Sequence, residues 1–365
     1  MRSYSSGYTD LGIGKQLMAA RVLGINVGGG FSGMCAMKLV NYDDDVVVVP
    51  KQIIRIAGGD SSNILAYSYN GIDWSGNSVN IGLSACNAIA SNGTQWVAGG
   101  QGIVDGINNN LAYSEDGKVW TRTPSTIFGG GCFCVATNGT LWVAGGEGSN
   151  PSSPLAYSYD GKDWIIIDMA SFTNNSLFTN TTYAIATNGS KWVAGGGASN
   201  NNANKPLAYS NNGIEWFENS VVTGLDLCHA IATNGTLWVA GGIATNSGSS
   251  DHTLVYSYNG IEWIGITDIL FNGVTIRAIA TNGTQWVAGC GGMITLAYSD
   301  NGIDWSEIQN TIFTGQICMS IAWDGTRWIA GGTGNKLAYS DNGQDWIEID
   351  TTIFSIGFLA IATNL

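Results

Sequence analysis

The peptide LAYSYNGIDW, from Leu65 to Trp74, returns six more times along the 365-residue chain, and each copy ends in a tryptophan: Trp120, Trp164, Trp216, Trp263, Trp305 and Trp346. A peptide written seven times means one structural unit built seven times, each copy burying its faces against its neighbours. Successive tryptophans lie 46, 44, 52, 47, 42 and 41 residues apart.

A second peptide is interleaved with the first: AIASNGTQWVAGG at Ala88 to Gly100, with copies beginning at Val135, Ala184, Ala230, Ala278 and Ser320. Both peptides contain Asn-Gly or Asp-Gly, dipeptides that tolerate positive φ at both centres of a type I′ turn and so specify hairpins. Each repeat therefore reads strand, turn, strand, variable loop, strand, turn, strand. A four-stranded meander with this period is the blade of a β-propeller. The expected fold is all-β: a seven-bladed β-propeller of four-stranded antiparallel blades.

The chain ends test that reading. Phe358 to Leu365, FLAIATNL, is a first strand with no second strand after it, and Gln52 to Gly59, QIIRIAGG, is a second strand with no first strand before it. Joining them gives a first blade closed by the C-terminal strand, with Leu359–Thr363 pairing to Ile53–Gly58. Closure of this kind removes the sheet edges of an open array.

Residues 1–48 lie outside the repeat and 49–365 form the propeller. The first segment is polar and Gly/Ser-rich at its start, carries a glycine cluster from Gly28 to Gly33, and has a candidate strand at Val46–Val49. It reads as an N-terminal arm or extension: either a tether or strand-donating segment that attaches the propeller to a protein partner or sister subunit, or a tail packed across one face.

Composition narrows the partners. With 14 Lys plus Arg against 27 Asp plus Glu and a net charge of −13, the chain lacks the clustered basic side chains that nucleic acid requires, so no nucleic acid is expected. The seven cysteines and two histidines form no metal-ligand spacing, so no metal and no cofactor are expected. Cys86, Cys132, Cys228 and Cys318 share one repeat position with Thr182, Ile276 and Phe358, which makes it a packing position. Unpaired thiols and the absence of a recognisable leader favour a cytoplasmic or virion location. The least polar stretch, Val22–Met37, is too short for a membrane span. Five of the seven Asn-x-Ser/Thr sequons, at Asn92, Asn138, Asn188, Asn234 and Asn282, are hairpin asparagines that turn chemistry already explains.

The element Ser68-x-Asn70-Gly71-x-x-Trp74, repeated through Ser340, Asn342, Gly343 and Trp346, resembles the Asp-box, or BNR, hairpin of sialidase-like propellers, over about 300 residues and with a box one residue shorter. The resemblance implies a structural turn between the third and fourth strands. Catalysis of the sialidase type would imply an arginine triad, a Tyr/Glu nucleophile pair and an acid Asp. Of the six arginines, only Arg277 enters a first strand near the channel, so no triad can be assembled and the chain is expected not to be an enzyme, with no catalytic residues.

Recognition should reside where the copies differ. One variable position is the residue five before each first-hairpin Asx: Asn87, Phe133, Tyr183, His229, Arg277, Met319 and Leu359. First strands line a propeller's axis, so these seven should ring one channel mouth. The other is the loop between the second and third strands, long in four consecutive repeats: Gly99–Asn110, Gly145–Pro154, Gly195–Pro206 and Gly241–Thr253. Its polar members Asp105, Asn109, Glu147, Asn150, Asn201, Lys205, Asp251 and His252 are candidate contacts on one projecting side. The functional expectation is a non-enzymatic binding or structural module acting in protein–protein interaction or assembly. The alternative is a lectin-like, glycan-binding propeller, with a glycoside hydrolase behind it. The near-identical repeats, Asn-rich loops and arm also resemble repeat proteins of large DNA viruses, which implies a virion component.

Overall fold

The computed structural model describes residues 37–42 and 45–364, apart from 51–53, 61–62, 78–80, 105, 124–125, 149–152, 169–180, 198–205, 220–223, 245–251, 268, 272, 310–311 and 355–356. The chain divides into two units, Met1–Ile53 with Leu365, and Ile54–Asn364. In the first, Met37–Tyr42 and Asp45–Pro50 form an antiparallel hairpin in which Met37 faces Pro50 and Tyr42 faces Asp45. The second of these strands contains Val46–Val49. The glycine cluster at 28–33 lies outside the described residues.

The second unit carries seven four-stranded antiparallel sheets, the blades. Six take their strands in sequence order; blade 3, for example, runs Cys132–Thr137, Trp142–Gly146, Leu155–Ser158 and Ile165–Ile166. Blade 1 instead sets Phe358–Thr363 beside Arg55–Gly59, followed by Leu65–Ser68 and Trp74–Asn77, with Arg55 opposite Thr363 and Gly59 opposite Phe358. The Asn364 side chain extends this closure by accepting the Ile54 amide at 2.8 Å. Each first strand touches the first strands of both neighbouring blades, so the ring is complete.

Both hairpins are fixed by their Asx residues. In blade 3 the first turn has Gly139 at φ 95°, and Asn138 Oδ1 accepts the amides of Thr140 and Leu141 at 3.1 and 2.9 Å. The second turn uses Ser158 Oγ to accept the Gly161 amide at 2.8 Å and Asp160 Oδ1 to accept those of Lys162 and Asp163. Trp164 Nε1 then donates to Gly161 O, which lays the ring under the turn. These short side chains satisfy backbone groups that the turns leave open; the turns are longer than the two-residue type I′ expected, with Thr137 pairing to Trp142 and Tyr157 to Ile165, and only their glycines take positive φ.

Packing between blades explains the first glycine of the Gly-Gly in six second strands and of Gly289-Cys290 in the seventh. A Cβ on Gly99 of blade 2 would lie 2.5 Å from Cys132 Sγ of blade 3, and one on Gly331 of blade 7 would lie 2.5 Å from Phe358 Cβ of blade 1. The same notch receives Cys86 at Gly58, Thr182 at Gly145, Cys228 at Gly195, Ile276 at Gly241 and Cys318 at Gly289. The shared Cys/Thr/Ile/Phe position is therefore a knob seated in the preceding blade. Burial raises the Cys86 thiol pKa to about 12, and the Cys228 thiol likewise, so these are inert packing groups. The second-strand tryptophans, Trp96 through Trp328, are at most 2% exposed; each contributes about 2 to 3 kcal/mol through burial.

Candidate binding site at the channel mouth

The site is built by one irregularity repeated in every blade. Pairing between first and second strands slips by one residue: Cys228 faces Gly242 and Ala230 faces Gly241, leaving His229 without a partner on the second strand. The same β-bulge singles out Asn87, Phe133, Tyr183, Arg277 and Met319, and in blade 1 Leu359, which lies between the paired Phe358 and Ala360. A bulged residue is released from the pleat and re-aimed. Here the residue before it enters the neighbouring blade's glycine notch, so the bulged side chain turns to the axis. All seven line one cavity of about 180 Å³ at the channel mouth, and all seven are half-buried.

Around this ring the side chains are not mixed evenly. Phe133, Tyr183, His229 and Arg277 are consecutive. The Phe133 and Tyr183 rings lie 5.6 Å apart, the Tyr183 and His229 rings 5.1 Å apart, and Arg277 Nη1 is 3.3 Å from His229 Nε2. Met319 and Leu359 make the opposite sector apolar, and Asn87 Nδ2 donates to Cys132 O at 3.2 Å. A guanidinium only donates, so His229 Nε2 must accept, and its proton resides on Nδ1. Burial, then the adjacent Arg277 charge, lower the His229 pKa to about 4. Burial also pulls Arg277 below its ordinary value, and its Nε finds no hydrogen-bond partner among the described residues.

Sequence reasoning missed the throat beneath this ring, made of pairs such as Ala88–Ile89, Ala184–Ile185 and Ala230–Ile231. The signal was present: two consecutive apolar residues after the variable one break strict alternation, as a bulge requires.

The loop residues fare differently. Blade 2's loop folds into a small hairpin, Ile103–Val104 with Ile107–Asn108. Asn109 is 5% exposed and donates to Ile81 O at 2.9 Å. Its expected place among the projecting contacts is thus corrected, because its amide is spent holding the loop to its own blade. Glu147 is exposed at the rim, bridging to Thr181 of the next blade, and His252 is half-buried with its amide donating to Gly224 O. Asp105, Asn150, Asn201, Lys205 and Asp251 lie outside the described residues. Among the described residues no three His, Cys, Asp or Glu side chains gather as a metal site, and no helix is long and apolar enough to cross a membrane.

No protein-family model matches the chain, and no curated protein matches it in sequence. Solved structures do match in fold. One is the extracellular domain of a provisionally named one-component system from B. thetaiotaomicron, 13% identical with a TM-score of 0.52; the match covers 83% of this chain but only 39% of that one. Two others are provisionally named 6-phosphogluconolactonases, from Bacteroides uniformis and Bacteroides fragilis. They are 11% and 10% identical, with TM-scores of 0.54 and 0.51; 85% of this chain is covered in each, with 99% and 97% of theirs. At such identities the likeness carries the fold alone. It nevertheless corrects the expectation that the chain is not an enzyme: propellers of this shape bear the names of hydrolases, so a missing sialidase-type triad does not exclude catalysis.

Proposed function

We propose that the protein is a binding module that takes its target at one end of the propeller channel. The observation that carries this reading is the sevenfold bulge, which aims the repeat's most varied side chains at one mouth while the surrounding blade is kept constant. The bulge lies at the same end of the blade as the loops between second and third strands, because it opposes the Gly-Gly that leads into them. A mouth of aromatic, imidazole and guanidinium groups framed by polar loops supports recognition of one protruding group on a larger partner, a protein surface first and a glycan second. The 1–48 arm would add attachment to a partner or sister subunit. The seven Ser-Asx hairpins support kinship with Asp-box propellers.

Photocrosslinking from position 183 in native extract, with Tyr183→Ala and His229→Ala as controls, tests this. Expected is a crosslinked partner whose affinity falls by about 1 to 3 kcal/mol in either variant. A partner that maps instead to the Asn-Gly turns at the other end of the channel overturns it.

A second reading, lactone hydrolysis at the same mouth, draws on the names of two structural neighbours and on the neutral His229 beside Arg277. A general base and a cation for a developing oxyanion are what ester opening needs. Turnover of 6-phosphogluconolactone that disappears in His229→Gln supports it.

A further inference from the structure

We infer that the channel mouth receives a small oxyanion, a carboxylate or phosphate on a compact body, with Arg277 taking the charge and the Phe133–Tyr183 wall taking the body. This inference rests on the reading of the mouth as the binding site. Arg277 is the one cation among the seven ring residues, in a chain whose net charge is −13. Its half-buried guanidinium forms no ion pair among the described residues; Nη1 meets a neutral imidazole nitrogen and Nε meets no acceptor. A partly desolvated guanidinium with unused donors favours an acceptor that brings negative charge, and its planar fork matches a two-oxygen group.

The neighbouring groups fit the same ligand. An anion that draws Arg277 Nη1 off His229 Nε2 frees that nitrogen to take a proton and act as a second charged donor. Phe133 and Tyr183 continue the wall from His229 with rings tilted by 42° and 58° to their neighbours, a surface against which the faces of a sugar or aromatic ring can rest. A cavity of about 180 Å³ corresponds to roughly six waters at liquid density, enough for a small molecule or one end-group. A cationic ligand is disfavoured by Arg277, and the Met319–Leu359 sector offers a neutral one no hydrogen bonds.

The test is calorimetric titration of the full chain with glucuronate, glucose 6-phosphate and glucose, repeated on Arg277→Met, Arg277→Lys and Tyr183→Ala, with thermal melts to show that each variant is folded. Expected is that one or both anionic sugars bind at least ten-fold more tightly than glucose, that Arg277→Met removes the difference, and that Arg277→Lys retains part of it for phosphate. The two probes separate carboxylate from phosphate as the preferred group. Equal affinity of the anionic sugars for the parent and Arg277→Met overturns the inference, as does failure of both to bind at millimolar concentration. Glucose binding as tightly as its anionic relatives, and weakened by Tyr183→Ala, overturns the anion inference while leaving the mouth as the site. Imidazole NMR gives an independent reading: inorganic phosphate should raise the His229 pKa from about 4, and no change under saturating phosphate counts against it.

Discussion

Arg55 donates from Nε and Nη2 to one oxygen of Asp324, at 2.8 and 2.7 Å, across the seam where the last blade meets the first. In the other six blades the Arg55 position is tryptophan, and in the other hairpins the Asp324 position is asparagine. Both departures occur together because they meet. Arg55 is 6% exposed and Asp324 is fully buried; Arg55 Nη1 also donates to Tyr69 O, and the second Asp324 oxygen holds its own turn through the amides of Thr326 and Arg327. Asp324→Asn keeps the turn but strands the guanidinium, and should cost about 3 to 5 kcal/mol in chemical denaturation. The double variant Arg55→Trp, Asp324→Asn restores the ordinary blade pattern and should be more stable than either single variant.

Gly99→Ala places a methyl 2.5 Å from Cys132 Sγ, and overpacking of this kind costs about 1 to 3 kcal/mol. Adding Cys132→Ala removes the clashing sulfur, so the pair should lose less than the sum of the singles. A double-mutant cycle by denaturant melting measures that coupling; strict additivity would show that the notch is not where the blades meet.

Asp116 and Asp160 replace asparagine in two of the seven second hairpins. Burial raises their pKa values, but the amides of Val119 and Lys118 at Asp116, and of Asp163 and Lys162 at Asp160, together with Ser114 and Ser158, outweigh it and leave both below the ordinary 3.8. A depressed carboxylate pKa stabilises the fold above 3.8, and that contribution is lost as pH falls through the folded value. The Asp116→Asn, Asp160→Asn variant should therefore lose stability less steeply than the parent between pH 4 and about pH 2, as thermal melts across that range would show.

His229 titrates with the same sign but in a higher pH window. Its folded pKa of about 4 lies below the ordinary 6.5, so the unfolded chain takes up a proton first and stability falls as pH drops from 6.5 towards 4. The charged or titratable groups facing it are Arg277 and Tyr183. His229→Gln should flatten this part of the pH–stability curve, while Arg277→Met, by removing the like charge, should raise the His229 pKa seen by NMR. An unchanged curve in His229→Gln would mean that the imidazole is solvated.

The architecture was legible because each level repeats the same instruction: Asn-Gly for the turns, the Ser-Asx hairpin for the outer edge, Gly-Gly for the blade interface. The unpaired half-blades at the chain ends likewise pointed to Leu359–Thr363 beside Ile53–Gly58, and the structure pairs Phe358–Thr363 with Arg55–Gly59. The seven ring positions were legible too, since there the copies carry seven different side chains. What sequence could not convey was register. In LCHAIAT the consecutive apolar pair Ala230–Ile231 signals a bulge, but that His229 is the residue left over while Cys228 and Ala230 both pair follows from the depth of the glycine notch, a three-dimensional property. Asn109 was misplaced for a related reason: an asparagine in a polar loop reads as exposed unless the carbonyl it holds, here that of Ile81, is known.

The odd number of blades has a consequence for what the mouth can distinguish. In a seven-membered ring no position has a counterpart directly across the axis; His229 faces the gap between Leu359 and Asn87. The polar arc from Tyr183 to Arg277 is therefore balanced by no similar arc on the far side. A guest entering along the axis meets a different chemistry at every angle, so it has one favoured rotational setting. Repetition in the scaffold thus yields a lining without rotational symmetry.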